Sequence, residues 1–379
     1  MGIFRIITPN DKMDSETKII RLKKLPTEEE IAKVARIPIT FYENIGIIGL
    51  KKVTVKAIDC DEISTSSMLR NADVLWLYAK WNNVEKIPGW SGYMENLTVD
   101  EPYSKSRILF VPFINQAASD YNTLYTTLNY IIDSGNKYGH LFIIVTFDQP
   151  LYFKAKEIVT AADKNFPLSR VIVRLGGFHL LMSFLGSIGY IKGGSGLKEV
   201  LSVIFASNSV DHILSGHAFS RAIKGHTLLQ LALAHIILNE LSLNHKQKEL
   251  LNICLSNLSD FQSVEDSSAV KELKKIFDEK LKEIKNRGPT AQLWVQYFEM
   301  VTILKEFIRS ERMGNWRGHL ASIKKMIPYF HATGHFLYAK SATLYISDME
   351  NLRNSMDSET FEKFTNSFFT VKRSNKYFC

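Results

Sequence analysis

Cysteine is scarce in this chain. Cys60, Cys254 and Cys379 are the only three in 379 residues, and no two form a Cys-x-x-Cys pair. An odd and sparse set argues against a disulfide framework and for a reducing compartment, which sets the expectation of an intracellular protein, nuclear or cytoplasmic. Long apolar runs are missing too: none reaches the ~18–20 residues that a membrane helix needs, so no membrane partner is expected. The opening Met1–Ile7 is apolar but short, and Pro9-Asn10-Asp11-Lys12 follows it, which does not read as a signal peptide. Ile6 stands where N-myristoylation calls for Ser or Thr. The sequence also lacks His-Glu-x-x-His, the spaced lysine of a P-loop, Gly-x-Gly-x-x-Gly and a nucleophile elbow. It has no internal repeat and no low-complexity linker.

What remains is the composition of an ordinary globular protein, 45% hydrophobic and 23% charged. Its length suits two or three domains, or one large core with an insertion. The net charge of +8 permits an acidic partner such as DNA, and a solubility surplus explains it nearly as well. The most informative stretch is His140–Pro150, with Val171–His179 some way on. It reads as a buried strand ending in Asp148, a helix over 154–162, and a second buried strand ending in a histidine, His179. Open α/β sheets place their chemistry at such carboxyl ends. With a strand at Arg107–Phe113 and a helix over 121–132, residues 105–190 spell strand, helix, strand, helix, strand, the pattern of a parallel or mixed sheet with helical crossovers.

Four regions are expected: a mixed basic region over 1–70, an α/β core over 71–196, a helical insertion over 197–290, and a helical part over 291–379 returning to the core. Within the first, Thr27 and Glu30 fit a capping box, and Lys52–Ile58 alternates as a half-buried strand. Asp73–Ala79 is apolar on both faces, which suits a buried strand or a short helix equally. Pro88–Met94 reads as a turn with two large aromatics. Helices are expected over 197–206, 218–241, 246–258, 269–286, 292–311, 318–326 and 335–346. A last short helix is expected near 361–364, and a strand over 368–373.

The candidate site residues each admit two readings. Asp148 can hold a divalent metal, Mg2+ or Mn2+, at the sheet edge, or cap the helix that Gln149-Pro150 opens. His179 can orient a phosphate or ligate metal beside it, or bond a carbonyl in the core, with Gly176-Gly177 allowing close backbone approach. Glu299, Glu306 and Glu311 ride one long helix. One of them can complete an acidic cluster, or all are surface charge beside Lys305, Arg309 and Arg312. Gly193–Gly196 reads as a flexible turn rather than a phosphate cradle. The pairs His212/His217 and His331/His335 do not make a zinc site. Bases lie among aromatics at Trp316-Arg317, Tyr338–Lys340 and Phe369–Arg373, where they can stack on nucleobases and neutralise phosphates or simply pack with their stems along the core.

Phe147–Leu151, Arg174–His179, Gly216–Ala218, Glu311–Trp316 and Gly334–Lys340 together resemble a family of large, poorly characterised proteins that recur in invertebrate genomes and are associated with mobile elements. The likeness spans nearly the whole chain. More broadly, a strand ending in Asp, a helix and a strand ending in His are similar to the middle of an RNase H-like transposase domain. That resemblance implies an RNase H-like mixed sheet with a large helical insertion at 197–290. It implies Asp148 as the second metal-binding acid, with His179 and a late Glu such as Glu311 as catalytic partners. It also implies Arg174, Arg317, Lys340, Lys372 and Arg373 on DNA. No first-strand acid precedes Asp148, and longer members carry an acidic segment upstream and continue past Tyr377-Phe378-Cys379. The implied function is therefore a transposase-derived protein, truncated at both ends and catalytically incomplete, with DNA binding retained. An active divalent-metal nuclease or integrase using Asp148 and a later Glu, and a non-enzymatic protein-interaction module, are the alternatives.

Overall fold

The computed structural model describes residues 1–7, 24, 27, 29–30, 37–43, 50, 53–55, 58, 68–98 and 107–368. In chain order the elements are β1 (Phe4–Ile7), α1 (Asn71–Trp81), α2 (Trp90–Leu97), β2 (Arg107–Phe110), α3 (Tyr121–Lys137), β3 (Ile143–Phe147), α4 (Gln149–Ala161) and β4 (Val171–Leu175). Twelve helices follow: α5 (Gly177–Ile191), α6 (Leu197–Ser202), α7 (Ser207–Leu214), α8 (Phe219–Asn239), α9 (His245–Ser256), α10 (Phe261–Asp266), α11 (Ser268–Lys285), α12 (Pro289–Met313), α13 (Trp316–Ala332), α14 (Phe336–Glu350), α15 (Leu352–Ser355) and α16 (Ser358–Lys363). They divide between two compact units. The first gathers Met1–Ile58, Ser104–Leu180 and Leu337–Phe364, the second Asp59–Tyr103, Leu181–Phe336 and Thr365–Cys379. Among the described residues no helix is long and apolar enough to cross a membrane.

The expected RNase H-like mixed sheet is not what forms. The protein is mostly helical, and its described strands make two separate two-stranded sheets in the first unit. The strand-helix-strand at 143–175 does form. β3 and β4 run parallel in the register Ile143↔Val171 to Phe147↔Leu175, with α4 as the crossover. The next strand outward is the one that departs. β2 does not join β3; it pairs antiparallel with β1, from Phe4↔Phe110 to Ile7↔Arg107. Periodicity locates a strand but says nothing of its neighbour, and the nearest partner for β2 turned out to be the amino-terminal segment.

In the same unit Gly176 makes the close approach its sequence context suggested. Its N–H donates to Phe147 O at 2.7 Å, and a Cβ there would sit 3.0 Å from that oxygen. Asp120 caps α3, accepting from Asn122 N at 2.7 Å. The Thr27–Glu30 box is present in both directions, at 2.8 and 3.3 Å.

The second unit is helical throughout its described part. The ambiguous run at 73–79 is a helix, α1, with every residue from Asn71 to Ala79 buried. A helix apolar on all sides belongs in the middle of a bundle, and α1 packs against α8, α10 and α11. Pro88–Met94 was expected as a turn, but from Trp90 the chain forms α2, and α7 and α10 fall where no helix was expected. Between α12 and α13 the corner is fixed by its own residues. Gly314 ends α12 in the left-handed region at φ 69°, and Asn315 caps α13 by accepting from Gly318 N at 3.0 Å. The expected strand over 368–373 lies almost wholly outside the described residues; of Lys52–Ile58, residues 53–55 and 58 are described and form no strand, and the other three lie outside.

Candidate functional site

The densest chemistry in the molecule is buried in the second unit, where α1 meets α12. Successive turns of α12 carry Thr302, Lys305, Glu306, Arg309 and Ser310, spaced three and four apart on one face, and all are buried. Opposite them Asp73 sits in the first turn of α1 with no exposed surface. Burying one charge without a partner is prohibitive, so each must find an opposite.

Arg309 Nη2 lies 2.9 Å from Asp73 Oδ2, and its Nε donates to Glu306 Oε2 at 3.0 Å. Arg70, just ahead of α1, donates from Nη2 to Glu306 Oε1 at 2.7 Å. Lys305 Nζ sits 3.5 Å from Asp73 Oδ1 and donates to Gln230 Oε1 at 3.1 Å. The amide of Gln230 in turn donates to Thr302 Oγ1 at 2.8 Å. Trp90 Nε1 completes the shell of Asp73 at 2.7 Å. The ammonium of Lys305 also lies about midway between two indole faces, 5.0 Å from Trp76 and 5.1 Å from Trp90.

The electrostatics follow from this packing. Burial alone would raise the Asp73 carboxyl, but Arg309 and Lys305 outweigh it and hold the group well below the usual carboxylate range. Burial pulls Lys305 down to about 8, with Asp73 opposing. Burial also works against the charge on Arg309, yet Asp73 and Glu306 keep it protonated. Glu265, whose carboxylate accepts from Ala72 N at 2.8 Å, is shifted up by burial. Gly318 is a condition of the arrangement: a Cβ there would fall 2.3 Å from Ser310 Oγ and 3.0 Å from Glu306 Oε1.

A second buried polar contact occupies the α8–α12 seam. His226 and Tyr297 are fully buried and bonded at 2.8 Å through His226 Nδ1, while His226 Nε2 has no partner among the described residues. Burial pulls this imidazole down to about 4.

Apart from Glu306, the residues put forward from the sequence fall elsewhere, and most have local duties. Asp148 follows β3 as expected, where its carboxylate caps α4 by accepting from Leu151 N at 3.4 Å, with Pro150 in the first turn. His179 is not at a strand end; it lies exposed in the first turn of α5, with its ring edge-on to Phe178. Asp148 belongs to the first unit and Glu311 to the second. Glu311 ends α12 with Oε1 2.5 Å from Nδ1 of the fully buried His319, whose ring stacks on Trp316. Glu306 is in the ionic cluster, and Glu299 pairs with Lys285 at 3.2 Å. Among the described residues no three His, Cys, Asp or Glu side chains converge to hold a metal ion.

Of the bases, Arg174 is buried in β4, so its side chain is not on a surface that DNA can reach. Arg317 and Lys340 are exposed, Lys340 lying 4.7 Å over the Phe153 ring. Lys372 and Arg373 lie outside the described residues. His331 ends α13 and His335 precedes α14, so they share no helix face. His335 Nδ1 bonds Ser183 Oγ at 2.8 Å. Gly194 and Gly196 adopt φ of 73° and 91° in the turn between α5 and α6, as a flexible turn requires.

Sequence reasoning gave none of Asp73, Lys305, Arg309 and His226 a site role: Asp73 only opened an ambiguous apolar run, and Lys305 and Arg309 were placed on a charged surface. The available signal was an acid opening a run apolar on both faces, and Lys305 and Arg309 set within the largely apolar stretch Val301–Arg309.

Neither the curated proteins nor the solved structures contain a match to this chain. A family model described as a domain of unknown function, DUF8702, matches residues 89–379, so that Lys305, Glu306 and Arg309 fall inside it while Arg70, Asp73 and Trp76 precede it. That match covers well over half of the chain, which therefore belongs to the DUF8702 family.

Proposed function

We propose that this chain is a non-enzymatic interaction module built on a helical scaffold. One observation carries the reading: the acids best placed for metal chemistry already serve local structure. Asp148 caps a helix, Glu306 neutralises two arginines, Glu299 faces a lysine and Glu311 faces His319. A two-metal site needs several such oxygens free to converge on ions. The transposase-derived reading has also lost the RNase H-like sheet on which it depended. Retained DNA binding is the second reading, supported by the net charge of +8 and by the exposed Arg317 and Lys340.

The test combines two assays on the full chain. A plasmid nicking and strand-transfer assay in Mg2+ or Mn2+ is expected to give no product. Anisotropy with labelled single- and double-stranded oligonucleotides is expected to show weak binding that changes little between about 50 and 200 mM salt, because few phosphates are neutralised. Metal-dependent cleavage lost in Asp148→Asn overturns the non-enzymatic reading. A steep fall of affinity with salt moves the conclusion to DNA binding.

A further inference from the structure

The four buried charges at the α1–α12 seam answer one another, but Glu157 has no such opposite. This side chain sits on α4 in the first unit and exposes 2% of its surface. Its Oε2 accepts from Tyr121 Oη at 2.7 Å, while Oε1 has no partner among the described residues. The lysines beside it on α4 are engaged elsewhere. Lys154 donates to Ser119 O at 2.5 Å, with its ammonium 5.1 Å over the Tyr121 ring, and Lys156 pairs with Asp348 at 2.9 Å. Tyr42 supplies a second orphan: it exposes 8%, and its hydroxyl has no partner among the described residues. Residues 37–43 bring it to the first turns of α3, where Thr40 N donates to Thr126 Oγ1 and Tyr42 N to Asn122 Oδ1, both at 2.8 Å. The Tyr42 ring stacks on Tyr121 at 6.0 Å and tilts against Tyr125 at 5.2 Å. Burial, then the Glu157 hydrogen bond and charge, push Tyr121 up to about 12, and burial followed by the same charge raises Tyr42. Both phenols therefore stay protonated. They offer hydroxyl oxygens and ring faces but no positive charge.

We infer that the Glu157, Tyr121 and Tyr42 cluster binds a compact monovalent cation, an alkali ion or ammonium, with the Glu157 carboxylate as its counter-charge. A buried polar atom without a partner calls for an ion, a water or a functional role, and a buried charge calls for its opposite. The class of cation follows from the donors. Glu157 is the one carboxylate that acts on both tyrosines, whereas a divalent ion takes several charged oxygens. Glu157 and Tyr42 are covered too completely for the long cationic arm of a partner protein. Tyrosine faces attract a cation that sheds its water, which suits K+ and NH4+ better than Na+ or Mg2+. The Lys154 ammonium over Tyr121 already shows that ring acting as a cation acceptor. The inference goes beyond the interaction-module reading and does not depend on it.

The test is the melting temperature of the full chain at constant ionic strength, with choline chloride replaced stepwise by KCl, NH4Cl, NaCl or MgCl2. KCl and NH4Cl are expected to raise it by a few degrees, with a gain that saturates as one site fills. The lower of their half-saturating concentrations tells the alkali ion from ammonium. Glu157→Gln keeps an oxygen for the Tyr121 hydroxyl and removes the charge. It is expected to melt at or above the wild type in choline and to gain nothing from K+. Tyr42→Phe deletes only the orphan hydroxyl, and should raise the half-saturating K+ concentration several-fold while leaving the choline value in place. A wild-type melting temperature indifferent to the cation overturns the inference. So does a K+ gain that persists in Glu157→Gln, or one that NaCl and MgCl2 give equally.

Discussion

The α1–α12 seam and the β3 strand invert the usual rule in opposite directions. At the seam, five charged side chains go inward: Asp73, Lys305, Glu306 and Arg309 are buried, and Arg70 reaches in from the margin. At β3, a strand with no charge at all leaves Ile144 and Thr146 facing out. The first costs desolvation and is tolerable only when the ions match; the second forgoes part of the burial that its neighbour β4 gains. A buried charge network therefore marks a contact whose ions must match in place, while β3 shows that a strand free of charge can still leave apolar side chains partly exposed.

The largest effect is expected where the seam is broken on its acidic side. Asp73→Ala leaves Lys305 and Arg309 buried with only Glu306 between them, and should destabilise the protein by about 3–5 kcal/mol in urea unfolding. A loss below ~1 kcal/mol would mean that the cluster is wet or loosely packed rather than dry and matched.

Lys305 sharpens the same contrast through pH. Its folded-state value of about 8 lies below the 10.5 of an unperturbed lysine. Between those limits the unfolded chain holds more protons, so stability rises with pH there; at neutral pH the buried ammonium weighs against the fold. The swing is worth about 3 kcal/mol. Lys305→Met should therefore lie within ~1 kcal/mol of the wild type at pH 7, since Asp73 keeps Arg309 and the Trp90 N–H. From pH 8 to 10.5 the wild type should pull ahead. A difference that stays flat over that range would place the ammonium in contact with water.

His226 gives the acid-side counterpart. With its folded value near 4 against 6.5 unfolded, stability should be complete above pH 6.5 and fall as pH drops towards 4, by up to about 3 kcal/mol. Urea midpoints of His226→Leu should start lower at pH 7, because Tyr297 loses its partner, and then decline less steeply with acid.

How much of this was written in the sequence depends on the kind of information each feature needs. Most helices after Gly196, though not α7 or α10, were legible because amphipathic stripes and end signals are local: Leu273 and Phe277 face inward as their spacing implies, and Gly288-Pro289 opens α12 where the break was expected. β3, α4 and β4 were legible for the same reason. Strand partnership was not, since β2 pairs with a segment about a hundred residues away and no local pattern encodes that choice. The candidate site was the least legible part. Lys305 and Arg309 sit beside Glu306 and Glu311 in the sequence, which is also the signature of a solvated helix face, and only the arrival of Asp73 from α1 turns them inward. The carboxylate that did stand out, Asp148, was marked by its cap position.

Asp148 supports the finest test, because capping and metal binding make different demands on one side chain. A cap needs only an oxygen that accepts from Leu151 N, and asparagine offers one as good as aspartate. Asp148→Ala should cost about 1 kcal/mol and Asp148→Asn only a few tenths. A metal ligand needs the charge, so asparagine would be as damaging as alanine to any Mg2+- or Mn2+-dependent gain in melting temperature. The expected result is a graded series in metal-free buffer, with wild type and Asp148→Asn close together and Asp148→Ala below them, unchanged by either ion. A melting temperature that rises with Mn2+ in the wild type but not in Asp148→Asn would show that the end of β3 binds a cation as well as capping a helix.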